Sequence, residues 1–191
     1  MRIKTAIIAF SAVLGIALGL EEVGARVDVK IDYDKAFDFK SVKTWGWSPN
    51  RGDVKMARTK DDDPEAARQL AEPIIVDAVN GEMGRRGLQA APSSPNLMVT
   101  YYLLLTTNMT TQTIGQFVPA VADWGLPPIS GPTQSIKMAN QGSLVLDLSA
   151  ADQVVWRGVA QAKIKFDAND KQREALLREA VRDLLRRYPP R

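Results

Sequence analysis

Apolar and polar positions alternate from Val27 to Tyr33, where Val27, Val29, Ile31 and Tyr33 are separated by Asp28, Lys30 and Asp32. That period of two predicts a half-buried strand. A polar stretch carrying Phe37 and Phe39 follows, and Lys43-Thr-Trp-Gly-Trp47 reads as a second short strand. Pro, Gly and many charges make Ser48 to Asp63 a solvated loop. A long helix is then expected from Pro64 or from Pro73, because proline suits a first helical turn. Ile75, Val79 and Met83 recur every four residues as its apolar stripe. Gly81 and Gly84 each weaken it by about 1 kcal/mol relative to Ala, so it needs a sheet to lie on. Arg85-Arg86 suit the negative end of its dipole, and Gly87 is a left-handed stop.

Asn96 to Thr107 is rich in Val, Thr, Tyr and Leu and predicts a long strand. Leu144, Leu146 and Leu148 share one face of 142–148, and Val154, Trp156, Ala160, Ala162, Ile164 and Phe166 share one face of 153–166. These two segments form a hairpin. For its leucines to face Trp156, a connection of three or five residues is expected, with Leu146 opposite Trp156; an even connection would turn Asp147 inward. Asp147 and Arg157 would then lie diagonally on the exposed outer face, a pair worth about 0–1 kcal/mol. Asn169 or Asp170 caps the last helix, with Gln172 placed to close a capping box on Asn169. Leu177, Ala180, Val181, Leu184 and Tyr188 are its buried stripe, Glu174–Arg178 and Asp183–Arg187 its outer pairs, and Pro189-Pro190 its end.

The resulting fold class is α+β: a two-layer sandwich in which an antiparallel sheet carries two helices on one face. The core order is α-β-β-β-α, preceded by the short N-terminal strands. Trp156 is expected between the sheet and the final helix, near Leu146 and one of Leu177, Val181 or Leu184. The same order occurs in the double-stranded-RNA-binding fold. That function requires a basic cluster at the start of the second helix, where this chain has Asp170-Lys-Gln-Arg-Glu174 of mixed sign. No nucleic-acid partner is expected.

The N-terminus sets the expected address. Met1-Arg-Ile-Lys4 is a basic start, Thr5 to Leu20 an apolar run, and Val23-Gly-Ala25 offers small residues at the positions that a signal peptidase reads. Residues 1–25 are therefore expected to be a secretory signal peptide with Arg26 as the first mature residue. The run is short for a membrane span of roughly 20 residues; an uncleaved inner-membrane segment is the alternative. Residues 26–191 form the single expected domain. Export to the periplasm or beyond follows, and two basic and two acidic residues leave with the leader, so the net charge of +3 is unchanged. That charge favours solubility over a nucleic-acid surface.

The chain contains neither Cys nor His. No disulfide braces it, and no lipid anchor is available through a cysteine. Ser-His-Asp and Cys-His nucleophile systems, the HExxH zinc site and His-ligated metals are all excluded. No catalytic residue, metal site or cofactor is assigned. Asp61-Asp62-Asp63 with Glu65 lack any second ligand set and read as acidic residues at a helix N-terminus. Asp32, Asp34 and Asp38 read as structural polar groups at a strand end. Trp45, Trp47, Tyr101, Tyr102 and Trp156 are candidates for a sugar- or peptide-binding groove, although strand aromatics are more often core.

The segment 106–136 has no usable period. It holds five threonines between 106 and 113, then Phe117, Trp124 and prolines at 119, 127, 128 and 132. Irregular loops of this length are uncommon in compact domains and are functional or disordered. Phe117 and Trp124 are the candidate binding residues, through which an envelope protein or polymer would be met; the plainer reading is an extended hairpin tip folded back on a minor core.

Four segments in this order resemble the DUF4136 domain family of bacterial envelope proteins. They are Ile31-Asp-Tyr-Asp34 with Phe39 and Lys43-Thr-Trp-Gly-Trp47; Ile75 to Leu88, ending Arg-Gly-Leu; Gly142-Ser-Leu-Val-Leu-Asp-Leu148 with Val155-Trp-Arg-Gly-Val-Ala160; and the closing helix with Tyr188-Pro-Pro. The resemblance implies an envelope protein of unknown molecular role and supplies no catalytic residues. Many members resemble lipoproteins with a lipid-bearing Cys, which this chain lacks. The expectation is an exported, non-enzymatic binding or accessory module of the cell envelope; the alternative is a His-free hydrolase with two carboxylates facing across a cleft roughly 5–10 Å apart.

Overall fold

The computed structural model describes residues 27–56, 63–105, 112–114, 136–138, 142–162 and 168–190. The leader, Asp61, Asp62, Phe117 and Trp124 lie outside the described residues. The elements are β1 (Asp28–Tyr33), β2 (Thr44–Met56), α1 (Pro64–Arg85), β3 (Gln89–Ala90), β4 (Leu97–Leu105), β5 (Gln112–Ile114), β6 (Ile136–Met138), β7 (Ser143–Ala150), β8 (Gln153–Gln161) and α2 (Asp170–Leu185). Six strands form one sheet in the order β1-β8-β7-β4-β2-β3, and β5 pairs with β6 as a separate antiparallel ladder. Both helices pack on the same sheet and on each other. The fold is the α+β arrangement that the periodicity predicts.

The sheet is mixed rather than wholly antiparallel. β2 runs parallel to β4, and α1 is the crossover between them, as parallel neighbours require. The leading strands also join the main sheet: β1 pairs antiparallel with β8, and β2 sits between β4 and β3. The entry to β2 is fixed by Asn96, whose Oδ1 accepts the Lys43 and Thr44 amides at 3.0 Å each, while Thr44 Oγ1 accepts the Asn96 amide at 2.9 Å. β2 does not end at Trp47. It continues to Met56 after a register shift in which Ser48-Pro-Asn-Arg51 stand opposite Thr100 alone. Ser48 and Thr100 hydroxyls hydrogen-bond at 2.7 Å across this bulge, so the expected loop 48–56 is strand. Proline is tolerated there because a bulge at a sheet margin makes no demand on its missing N–H.

One helix, not two starts, covers 64–85. Asp63 caps it through Oδ1, which accepts the Glu65 and Ala66 amides at 3.0 Å each, and the helix runs through Pro73 on its exposed side. Ile75, Val79 and Met83 are fully buried, as their spacing requires. The helix stops at Gly87, with φ +75°. Arg86 clips its C-terminal turn to α2: Nη1 donates to Glu82 Oε2 at 2.6 Å and Nε to the Leu185 carbonyl at 2.6 Å. Burial alone would raise the Glu82 carboxyl, but hydrogen bonds from Arg86 and Arg85 outweigh it and hold the group below its ordinary value. The capping box of Asn169 and Gln172 is present in α2. Glu174 pairs with Arg178 at 2.9 Å, whereas Asp183 pairs with Arg186 and Arg182 instead of Arg187.

The β7–β8 hairpin reaches the expected faces by a different route. Its connection is the even, two-residue turn Ala151-Asp152, with φ of 46° and 63°, the left-handed pair that a type I′ turn uses. Val155 is then bulged out between the pairs Leu148↔Trp156 and Ser149↔Val154. That extra residue restores the parity which an odd loop would have supplied, so Leu148, rather than Leu146, lies opposite Trp156. Trp156 is fully buried beneath Leu184 and edge-on to Tyr188, 6.1 Å between centroids.

The outer face of the hairpin is not exposed. Asp147 and Arg157 stand directly opposite, 1% and 3% accessible, joined by two hydrogen bonds of 2.7 and 2.6 Å. Burial works against the Arg157 charge, yet Asp147 outweighs it and holds the guanidinium above its ordinary value. Val145 and Val159 beside them are equally buried. The centre of the sheet is therefore enclosed on both faces, and the pair is an interior one, where removing a single partner costs about 3–5 kcal/mol.

Candidate functional site

The β2 bulge and α1 enclose two adjoining grooves. The first, about 750 Å³, is lined by Trp45 to Pro49 and Arg51 of β2, by Asn80 and Gly84 of α1, and by Leu88 and Ala90 to Pro92 after it. The second, about 770 Å³, is lined by Pro49 to Val54 and by Asp63, Pro64, Glu65, Arg68 and Glu72 at the start of α1. Pro49 and Arg51 belong to both. The bulge is what separates them, because it pushes those two residues out of the strand line.

The first groove is aromatic and free of acid. Trp45 is buried and Trp47 half-exposed, and their rings meet edge to face at 5.9 Å. Trp47 Nε1 donates to Asn80 Oδ1 at 3.0 Å, fixing the indole against the helix. The strand hugs the 90–95 segment at Gly46, where a Cβ would stand 2.8 Å from the Ala91 carbonyl oxygen. A Cβ at Gly84 would meet nothing within 4 Å. Its missing side chain leaves the groove open and serves no packing need.

The second groove is lined by carboxylates that already have partners. Arg68 grips Glu65 through Nε and Nη2 at 2.8 Å each and donates to Glu72 Oε2 through Nη1 at 2.7 Å. Tyr101 Oη donates to the same Glu72 oxygen at 3.0 Å. Asp63 is the helix cap, and Asp53 pairs with Lys55 at 3.1 Å. The hydrogen bonds from Arg68 and Gln69 lower the Glu65 carboxyl to about 2, and burial with the Glu72 carboxylate pushes the Tyr101 phenol up. A glycosidase acid must hold its proton near neutral pH. Glu65 does not, and the Arg68 guanidinium occupies the space between the two glutamates. Among the described residues no group of three Asp or Glu side chains is placed to hold a metal ion.

Of the aromatic candidates, Trp45 and Trp47 reach a groove together. Tyr101 and Trp156 are core, and Tyr102 is half-buried on the sheet face turned away from the helices, its phenol pushed up to about 12 by burial and then by Asp147. Asp34 and Asp38 accept backbone amides two residues on, at 2.8 and 3.0 Å, and Asp32 accepts that of Tyr33 at 2.9 Å, so their roles include shaping the chain after β1. Arg51, Asn80 and Gly84 carry no motif. Their only sequence signal is position: a charged residue two after Pro49, and a polar and a small residue four apart on the wet side of α1.

The family model described as "Domain of unknown function (DUF4136)" matches residues 29–190, and the chain belongs to that family. Its fold is similar to the crystal structure of a DUF4136 family protein from Bacteroides thetaiotaomicron, with 20% identity, a TM-score of 0.54, and 85% of this chain and 96% of that one covered. A PDZ domain protein from Parabacteroides distasonis aligns at 11% identity and a TM-score of 0.47 over 88% of this chain and 37% of its own. No curated protein matches the chain.

Proposed function

We propose that this DUF4136 protein is an exported, non-enzymatic binding or accessory module of the bacterial cell envelope, and that the aromatic groove between β2 and α1 is its binding surface. The observation that carries the reading is the contrast in partners. Arg51 and the Asn80 amide N–H₂ have no hydrogen-bond acceptor among the described residues, whereas every carboxylate of the neighbouring groove is engaged. Small-molecule and polymer sites combine an apolar floor with a few convergent polar groups, as this groove does. Export is supported by the basic start, apolar run and small-residue site of residues 1–25. Among the described residues no helix is long and apolar enough to cross a membrane.

The second reading keeps 106–136 as a further contact with an envelope protein or polymer, on the strength of Phe117 and Trp124 in a proline-rich excursion. Cell fractionation tests the main reading. Wild-type protein should appear outside the cytoplasm with Arg26 at its N-terminus and partly with the sedimented envelope, while Gly84→Leu should remain exported but stay soluble. Retention of residues 1–25 in the inner membrane overturns the export reading; equal sedimentation of the two forms overturns the groove.

A further inference from the structure

Resting on that binding-module reading, we propose that the aromatic groove takes an acidic sugar unit of a glycan chain, with the sugar ring against the Trp47 indole and its carboxylate on Arg51. Three features select this chemistry. The groove lining holds an arginine and no carboxylate, so within it an anion meets one cation, while the carboxylates beyond Arg51 line the adjoining groove and are held by their own partners. The lining's side-chain polar groups without an acceptor among the described residues are both donors: the Arg51 guanidinium and the Asn80 amide N–H₂. A half-exposed Trp47 supplies the flat apolar surface on which the C–H face of a sugar ring rests.

A proline-rich peptide is the competing occupant of an aromatic groove. The carbonyls of such an extended chain make no internal hydrogen bonds and need donors from the groove wall. Here the Trp47 N–H is held by Asn80, and the Ser48 hydroxyl is held by Thr100. A sugar acid needs neither, since its carboxylate and ring oxygens accept from the donors that remain.

Gly84 allows the site to be closed without damaging the fold. No atom lies within 4 Å of its added Cβ, and leucine is a better helix former than glycine. Isothermal titration of the purified protein with tetragalacturonate, cellotetraose and a proline-rich decapeptide tests the assignment. Tetragalacturonate should bind, Gly84→Leu should abolish the signal, and Arg51→Gln should weaken it about tenfold or more, the scale of one charged hydrogen bond. Gly81→Ala, on the same helix outside the groove lining, should bind as wild type. If cellotetraose or the peptide binds, Gly84→Leu removes that binding and tetragalacturonate is ignored, the acidic-sugar assignment fails while the groove survives. If tetragalacturonate binding is unchanged in Gly84→Leu, or no probe binds, both this assignment and the groove reading fall.

Discussion

The two grooves that meet at Pro49 and Arg51 are alike in size and share a wall, yet their polar groups are used in opposite ways. Around the carboxylate groove, Glu65, Arg68, Glu72 and Tyr101 form one continuous network that ties the first turns of α1 to β4. Around the aromatic groove, Trp47 to Asn80 and Ser48 to Thr100 are the closed side-chain hydrogen bonds, and the Arg51 guanidinium and Asn80 N–H₂ have no acceptor among the described residues. Charge density alone would have marked the first of these as the functional site. Pairing reverses that ranking, because a carboxylate already held by a guanidinium and a phenol has little left to offer a ligand, whereas an unengaged donor beside an aromatic ring does.

Within the two grooves, removing the carboxylate at the centre of the network gives the largest expected effect. Glu72→Ala leaves the buried Tyr101 hydroxyl and one Arg68 nitrogen without their acceptor, and a buried group left unsatisfied costs about 1–3 kcal/mol. Urea denaturation should show that loss, with binding at the aromatic groove unchanged. A drop in ligand affinity larger than the drop in stability explains would show that the two grooves act as one site.

The opposite sign is expected across the shared wall. Gly84→Ala should stabilise the protein by about 1 kcal/mol, since alanine outperforms glycine in a helix interior and its methyl meets no neighbour. Glycine would then stand there at the expense of stability, as a residue kept for groove access should. A destabilised Gly84→Ala would mean that the position is a packing contact. Smaller still, Arg51→Ala should alter stability by no more than about 0.5 kcal/mol, the usual range for a surface side chain without a structural partner. A loss well beyond that would place Arg51 in the structural network instead.

What was legible in the sequence divides along similar lines. Local periodicity exposed the Ile75-Val79-Met83 stripe, the Asn169 capping box and the inward face of Trp156, because each is decided within a few residues of itself. The continuation of β2 beyond Trp47 was hidden, since the bulge is set by Thr100, which lies far along the chain. The burial of Asp147 and Arg157 was hidden for a related reason: alternation says which residues share a face, not whether that face is covered. Even the hairpin parity was met by a device that spacing does not reveal, a bulged Val155 compensating for an even turn. In the site, Trp45 and Trp47 were visible as aromatics, but Gly84 read only as a weak point of its helix. Its meaning depends on the strand bulge opposite, which brings Arg51 to the same groove.

The smallest expected effect separates the grooves by pH. Glu65 has its carboxyl lowered from 4.5 to about 2 by the hydrogen bonds of Arg68 and Gln69. With the folded value below the unfolded one, its contribution to stability is complete above pH 4.5 and is lost as the pH falls from there through about 2. Glu65 is exposed, so solvent screening keeps this contribution small, and site-resolved titration is the better measurement. The Glu65 carboxyl carbon should follow a midpoint near 2 by NMR, while the indole N–H signals of Trp45 and Trp47 stay still over the same range, because no carboxylate lines their groove. A midpoint at 4.5 would dissolve the Arg68 clamp. The carboxylate groove would then hold an unpaired acid, and the two grooves would no longer differ in how their polar groups are engaged.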